Sequence, residues 1–201
     1  MLLLGLSFVI NSGPPTGGSD AQLLEFARHN YAQVLWGSWL QAVGPALIGL
    51  FAFSLVHMAG AEHRLAGWMT FFGTTSLMTV SLIEVTFYIS ALHQQPPAMG
   101  PISLAVISAV HHLYFVIAAP AVFLPLGIIL RGSDVLPKLF GYSAIALATL
   151  FFALGAIYML TLTLPDAVTA LGAVQALGWL AAAVALILRR NRYVEQTSNI
   201  T

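Results

Sequence analysis

AGWMTFFGTTSLMTVSLIEVTFYISAL, residues 66–92, is an apolar run of 27 residues with one charge, Glu84. As a helix rising about 1.5 Å per residue it is about 40 Å long, more than a hydrocarbon core of about 30 Å requires. Four further runs, 34–58, 102–130, 140–164 and 167–188, are long enough to do the same. Short polar connections separate them. Strands of an outer-membrane barrel would be nearer about ten residues and would alternate in polarity, so the pattern predicts an all-α polytopic transmembrane bundle. Composition agrees: 59% hydrophobic and 7% charged residues leave too little polar material to clothe a soluble globule of 201 residues.

The charges set the orientation. Arg64, Arg131, Lys138, Arg189, Arg190 and Arg192, six of the seven basic residues, fall in alternate connections or in the tail, and Arg28 is the exception. By the positive-inside bias those segments face the cytoplasm, which places the chain in a cell membrane as a multi-pass protein. The net charge is zero, which gives no reason to expect nucleic acid as a partner. Without cysteine there is no disulfide, thiolate metal site or thiol nucleophile.

Residues 1–12 hold the apolar run Met1 to Ile10, too short to span alone and without a basic flank. The favoured reading is a short or truncated first helix, giving six helices with both termini cytoplasmic; an atypical signal segment is the alternative. Asn11 to Ser19, rich in Gly, Pro and Ser, reads as a loop. Asp20 is then expected to cap an outer interfacial helix over 20–33 that runs on into the 34–58 span. Tyr31, Trp36 and Trp39 suit an outer aromatic belt, and Trp68, Tyr142 and Tyr193 an inner one. Pro120 and Pro125 predict a kink in the 102–130 span. Gly172 with Ala176, and Gly178 with Ala182, predict close approach of the last span to a neighbour. Residues 1–201 form a single transmembrane domain.

Glu84 is the most costly residue, because a charged carboxylate at the bilayer centre costs roughly 2.5–3.5 kcal/mol even on insertion scales. Thr70, Thr74, Ser81, Glu84 and Tyr88 fall within about 80° of helical arc and predict a polar stripe facing the bundle interior. Counted from the outer ends of the spans, Glu84 lies about 12 Å deep and His111 and His112 about 13–15 Å deep, with Gln41, Tyr158 and Gln175 at about 9–13 Å. A shared depth on five helices predicts an outward-facing polar pocket. Its ligand-binding or proton-titrating candidates are Glu84, His111, His112, Gln41, Tyr88, Tyr158 and Gln175. His111 and His112 are adjacent, so their side chains diverge by about 100° and suit a shared metal poorly; with Glu84 they are the weak metal candidates. No nucleotide-binding, serine-hydrolase or zinc-protease motif is present, and no catalytic residue or cofactor is assigned.

One resemblance adds to this reading. Leu126-Gly127, Arg131-Gly132-Ser133, Leu136-Pro137-Lys138 and Gly141-Tyr142, followed by the Pro165 turn, Gly172, Gly178-Trp179 and Arg189-Arg190, resemble an uncharacterised bacterial family of multi-pass integral membrane proteins, classed as a domain of unknown function. The likeness covers mainly residues 126–190. It implies a full first helix, which Met1 to Ile10 is too short to be, and no activity or site residue.

Three functions fit. The first is binding or transport of a small polar or cationic solute in the pocket. The second is a structural or regulatory membrane subunit without chemistry, working with a membrane-protein partner or a second copy. The third is an intramembrane metal-dependent enzyme, the weakest of the three. Lipid is the surrounding partner in each.

Overall fold

The fold is seen in a computed structural model that describes residues 10, 19–93, 102, 103, 106, 107, 113–161 and 165–198. The described residues are all-helical, with no strand. α1 spans Asp20–His29, α2 Tyr31–Met58 and α3 Leu65–His93. A π-helical segment, Tyr114–Ala118, leads into α4, Ala119–Arg131. α5 spans Lys138–Thr161 and α6 Pro165–Ser198. Four helices are long and apolar enough to cross a membrane, over Tyr31–Met58, Leu65–Leu92, Lys138–Leu160 and Ala170–Arg189. Val116–Arg131 is a shorter apolar helix. Residues 1–9 of the expected first helix lie outside the described residues, as do 104, 105 and 108–112 of the 102–130 span.

α1 starts at Asp20, as expected, but its cap lies one residue earlier. Ser19, not Asp20, is the N-cap: its hydroxyl accepts from the Gln22 amide while the Gln22 side chain accepts from the Ser19 amide. A reciprocal pair satisfies two orphan amides where an aspartate would satisfy one. Nor does α1 run straight into α2. Asn30 ends it, its amide and its side-chain NH2 both donating to Phe26 O at 2.9 and 3.0 Å.

α4 occupies the middle of the bundle, packed against α3 on one side and α5 on the other, with α2 on α3 and α6 on α5. Leu55 of α2, Leu77 of α3, Phe123 and Leu126 of α4, Phe151 of α5 and Trp179 of α6 belong to one core cluster. Within it Phe123 stacks on Phe151 at 5.9 Å and meets Trp179 at 5.5 Å. The opposite faces stay exposed and apolar, Leu50, Phe72, Phe152 and Leu177 among them, as a lipid-facing surface requires.

The expected kink has a specific form. The Ala119 amide reaches back five residues to Tyr114 O, and Pro120 follows, with no amide to offer Val116. The wider π turn accommodates the proline ring, which a regular turn would crowd. Pro125 likewise leaves the Ala121 carbonyl without its helical donor. That carbonyl lies against Gly73 of α3, where an added Cβ would sit 2.3 Å from both Ala121 C and O.

Close approach therefore occurs at Gly73, and again where α4 meets α5: a Cβ on Gly127 would lie 2.8 Å from Gly141 O, and one on Gly141 2.5 Å from Arg131 N. Among the described residues it is not seen at the spacing the sequence suggested. A Cβ on Gly172 or Gly178 would meet nothing within 4 Å among the described residues, because those positions of α6 face outward or a gap. Gly172→Ala should accordingly be neutral or stabilising by up to about 1 kcal/mol through helix propensity, measured as the unfolding midpoint in detergent. A loss of more than that would show that an unseen neighbour packs there.

The basic residues gather at one end. Gly73 lies eight residues into α3 and Ala121 ten before the end of α4, so the start of α3, with Arg64 before it, shares an end with Arg131. The α4–α5 turn holds Arg131 and Lys138, and the Arg189 guanidinium of α6 donates to Asp134 O in that turn. Arg131 also stands over the Tyr142 ring at 5.9 Å. Exposed Trp68 lies at this end, and exposed Trp36 and Trp39, edge to face at 6.1 Å, at the other.

Candidate functional site

The polar stripe of α3 divides into two parts. Thr70 and Thr74 spend their hydroxyls on their own helix, on Ala66 O at 2.8 Å and on Thr70 O and Phe71 O at 3.0 and 2.8 Å. Ser81 and Glu84 reach across to α2. The Ser81 hydroxyl donates to Gln41 O at 2.7 Å, and the Gln41 side-chain amide donates to the Glu84 carboxylate. Gln41 is thus held at both ends by residues one turn apart on α3.

The reason for the first bond is in the sequence. Within a helix the Gln41 carbonyl would accept from the amide four residues on, and that residue is Pro45. A proline has no amide hydrogen, so the carbonyl is left for another donor, and Ser81 supplies one. The second bond meets the cost of the buried carboxylate. Gln41 and Glu84 are 6% and 5% exposed, and at such burial a polar group without a partner is expensive.

A second pair lies beside the first. Tyr114, the first residue of the π segment, donates its hydroxyl to Gln175 Oε1 of α6 at 2.6 Å, and its ring meets Phe151 edge to face at 5.9 Å. The π segment that carries Tyr114 packs against α3, the helix of Glu84. The two pairs join α2, α3, the π segment and α6 in one polar layer. Ser38, one turn from Gln41 on the same face of α2, is 1% exposed, and its hydroxyl has no hydrogen-bond partner among the described residues. On the other side of the layer Gln175 borders an apolar cavity of about 50 Å³, also lined by Leu55, Phe123, Leu126 and Trp179.

Of the residues expected here, the structure brings together Gln41 and Glu84, and places Gln175 beside them through Tyr114. Tyr88 is half-buried against Val34 and Leu92 and against Ala91 and Ile107. Tyr158 is half-buried on α5. His111 and His112 lie outside the described residues. Among the described residues no group of three or more His, Asp or Glu is placed to hold a metal ion. Tyr114 and Ser38 were missed. Tyr114 follows His111 by three residues and was legible as a polar group on the same helix face, whereas the π turn that aims it has no sequence signature.

Comparison with protein-family models, with curated proteins and with solved structures finds no match. The residues themselves therefore carry the functional argument.

Proposed function

We propose that this chain is a six-crossing protein of the bacterial cytoplasmic membrane, with both termini cytoplasmic, that binds a small polar or cationic solute, or a proton, at Glu84. The family resemblance over residues 126–190 belongs to the same proposal. The orientation is supported by Arg64, Arg131, Lys138 and Arg189 sharing one end of the bundle. The binding function rests on one observation, a buried carboxylate set in a polar layer contributed by four elements.

A carboxylate inside a membrane-spanning helix is a functional group by default, because packing alone can be had more cheaply from apolar residues. Around Glu84 the layer offers an amide in Gln41, a phenol in Tyr114 and a second amide in Gln175, each able to exchange its present bond for one to a bound molecule. The Ser38 hydroxyl is a buried donor and acceptor that a bound polar group would satisfy. A solute carrying one positive charge would compensate the carboxylate. His111 and His112, three and two residues before Tyr114 in the sequence, are the candidates for moving a proton to or from it.

A second reading has its own support. Gln41 and Glu84 satisfy each other, which is what a structural or regulatory subunit would need to fix the register of α2 against α3. One experiment separates the two: thermal unfolding of the purified chain with methylammonium, ethanolammonium or guanidinium ions, at about pH 6 and about pH 8. The binding reading expects at least one cation to raise the midpoint of the natural chain in a pH-dependent way, and Glu84→Gln to abolish the rise. Identical responses of the two proteins would leave the structural reading.

A further inference from the structure

At the basic end, away from the Glu84 layer, the turn between α2 and α3 closes over a groove of about 270 Å³. Its walls are Phe53, Trp68 and Phe71, and His57 and Glu62 stand at its mouth. The turn is tightly built. Gly60 takes a φ of +58°, a conformation that side-chain-bearing residues rarely adopt, and the Ala61 amide returns to Val56 O at 3.1 Å. This reversal carries Glu62 back toward α2, where its carboxylate lies 3.3 Å from His57 Nδ1. Hydrogen bonding to its own amide, helped by His57, holds the Glu62 carboxyl below the usual carboxylate range, so it carries its charge at neutral pH.

The aromatic wall is continuous. Phe53 and Phe71 are 5.3 Å apart and Trp68 meets Phe71 edge to face at 6.4 Å. Trp68 and Phe71 are 61% and 49% exposed, so in a bilayer this wall is covered by lipid. A fixed negative charge at the mouth of an aromatic groove is complementary to an ammonium ion, which gains from the carboxylate and from the negative faces of the rings. Arg64, exposed and two residues after Glu62, is placed to meet an anionic group. The charge order, carboxylate then guanidinium, mirrors a headgroup that carries an ammonium and a phosphate.

The groove is smaller than the roughly 300–1,000 Å³ of sites that enclose drug-sized ligands. It suits a headgroup whose hydrocarbon tails stay outside, along the exposed apolar faces of α2 and α3.

We propose that the α2–α3 groove is a binding site for a zwitterionic membrane lipid with a primary ammonium headgroup, the ammonium seated between Glu62 and the Trp68–Phe71 wall and the phosphate toward Arg64. The site is independent of the Glu84 layer, and its variants leave that layer untouched.

The test is native mass spectrometry of the full chain released from mixed micelles holding equal amounts of phosphatidylethanolamine and phosphatidylglycerol. The natural chain should retain the ammonium lipid over the anionic one by about fivefold, the scale of a partly exposed ion pair with a cation–π contact. Glu62→Gln should bring the ratio to about one, and Trp68→Ala should lower it, whereas Trp68→Phe should keep most of it. Glu62 is on the surface, so its amide variant retains the fold. Equal retention of the two lipids by the natural chain would overturn the proposal, as would a preference that survives Glu62→Gln. A preference lost on Arg64→Gln but not on Glu62→Gln would mean that the carboxylate does not read the ammonium, and would overturn it too.

Discussion

Gly73→Val should prevent α3 and α4 from docking. Even the first carbon of any side chain at residue 73 would lie 2.3 Å from the Ala121 carbonyl carbon and oxygen and 2.6 Å from Val122 N. These are backbone atoms at the middle of a helix and cannot turn aside as a side-chain tip can. The carbonyl is also committed, since Pro125 has left it with the Gly73 edge of α3 as its neighbour. Relief requires the two helices to separate, and α4 is the helix on which α3 and α5 both pack, so the loss spreads through the core. Overpacking of this kind costs about 3 kcal/mol, the upper end for inserted carbons, and more where backbone must move. Denaturation of the purified chain by a graded fraction of sodium dodecyl sulfate in mixed micelles would measure it, with Gly172→Ala as the control at an open position. A Gly73→Val protein as stable as the natural one would mean that the α3–α4 crossing is misplaced.

The same comparison shows which parts of this molecule a sequence reveals. Gly172 with Ala176 and Gly178 with Ala182 have the spacing of a packing seam, yet Gly73, with no such partner spacing, makes the tight crossing. Small-residue spacing says where approach is permitted. Which helix comes near depends on the angles of the whole bundle. Prolines do more than bend a helix. Pro120 and Pro125 predict a kink, but each proline also frees one carbonyl four residues earlier, and two of those freed groups mark contacts: Gln41 O, freed by Pro45, meets Ser81, and Ala121 O, freed by Pro125, meets Gly73.

Four of the spans, 34–58, 66–92, 140–164 and 167–188, were legible within a few residues because long apolar runs permit few alternatives in lipid, and the common end of Arg64, Arg131, Lys138 and Arg189 follows from their alternation. The pairing of Gln41 with Glu84 was legible only as a shared depth. Register and rotation decide whether groups at one depth touch, and one residue of a helix turns its side chain by about 100°. Tyr114 illustrates the limit, for its direction depends on a five-residue turn that periodicity at 3.6 cannot anticipate.

The Gln41–Glu84 pair should then show strong coupling in a double-mutant cycle. Glu84→Gln keeps an acceptor facing the Gln41 amide in a side chain of nearly the same shape, so stability should change by less than about 1 kcal/mol. Glu84→Leu leaves the Gln41 amide buried with its acceptor gone and should cost about 1–3 kcal/mol. Gln41→Leu should cost a similar amount, because it takes an amide donor away from the buried carboxyl while Ser81 still holds the main chain of α2. With both residues leucine an apolar pair of similar volume replaces a buried polar one at little net cost. The double variant should therefore be more stable than the sum of the single losses implies, by a coupling of about 2–3 kcal/mol, the upper range for residues in contact. Additive losses would mean that the bond contributes nothing to the fold. The double variant also separates architecture from function: a bundle that keeps its stability with leucine at both positions has no structural need for a carboxylate at residue 84. Loss of the cation response in that same stable protein would identify solute binding as the reason for the charge.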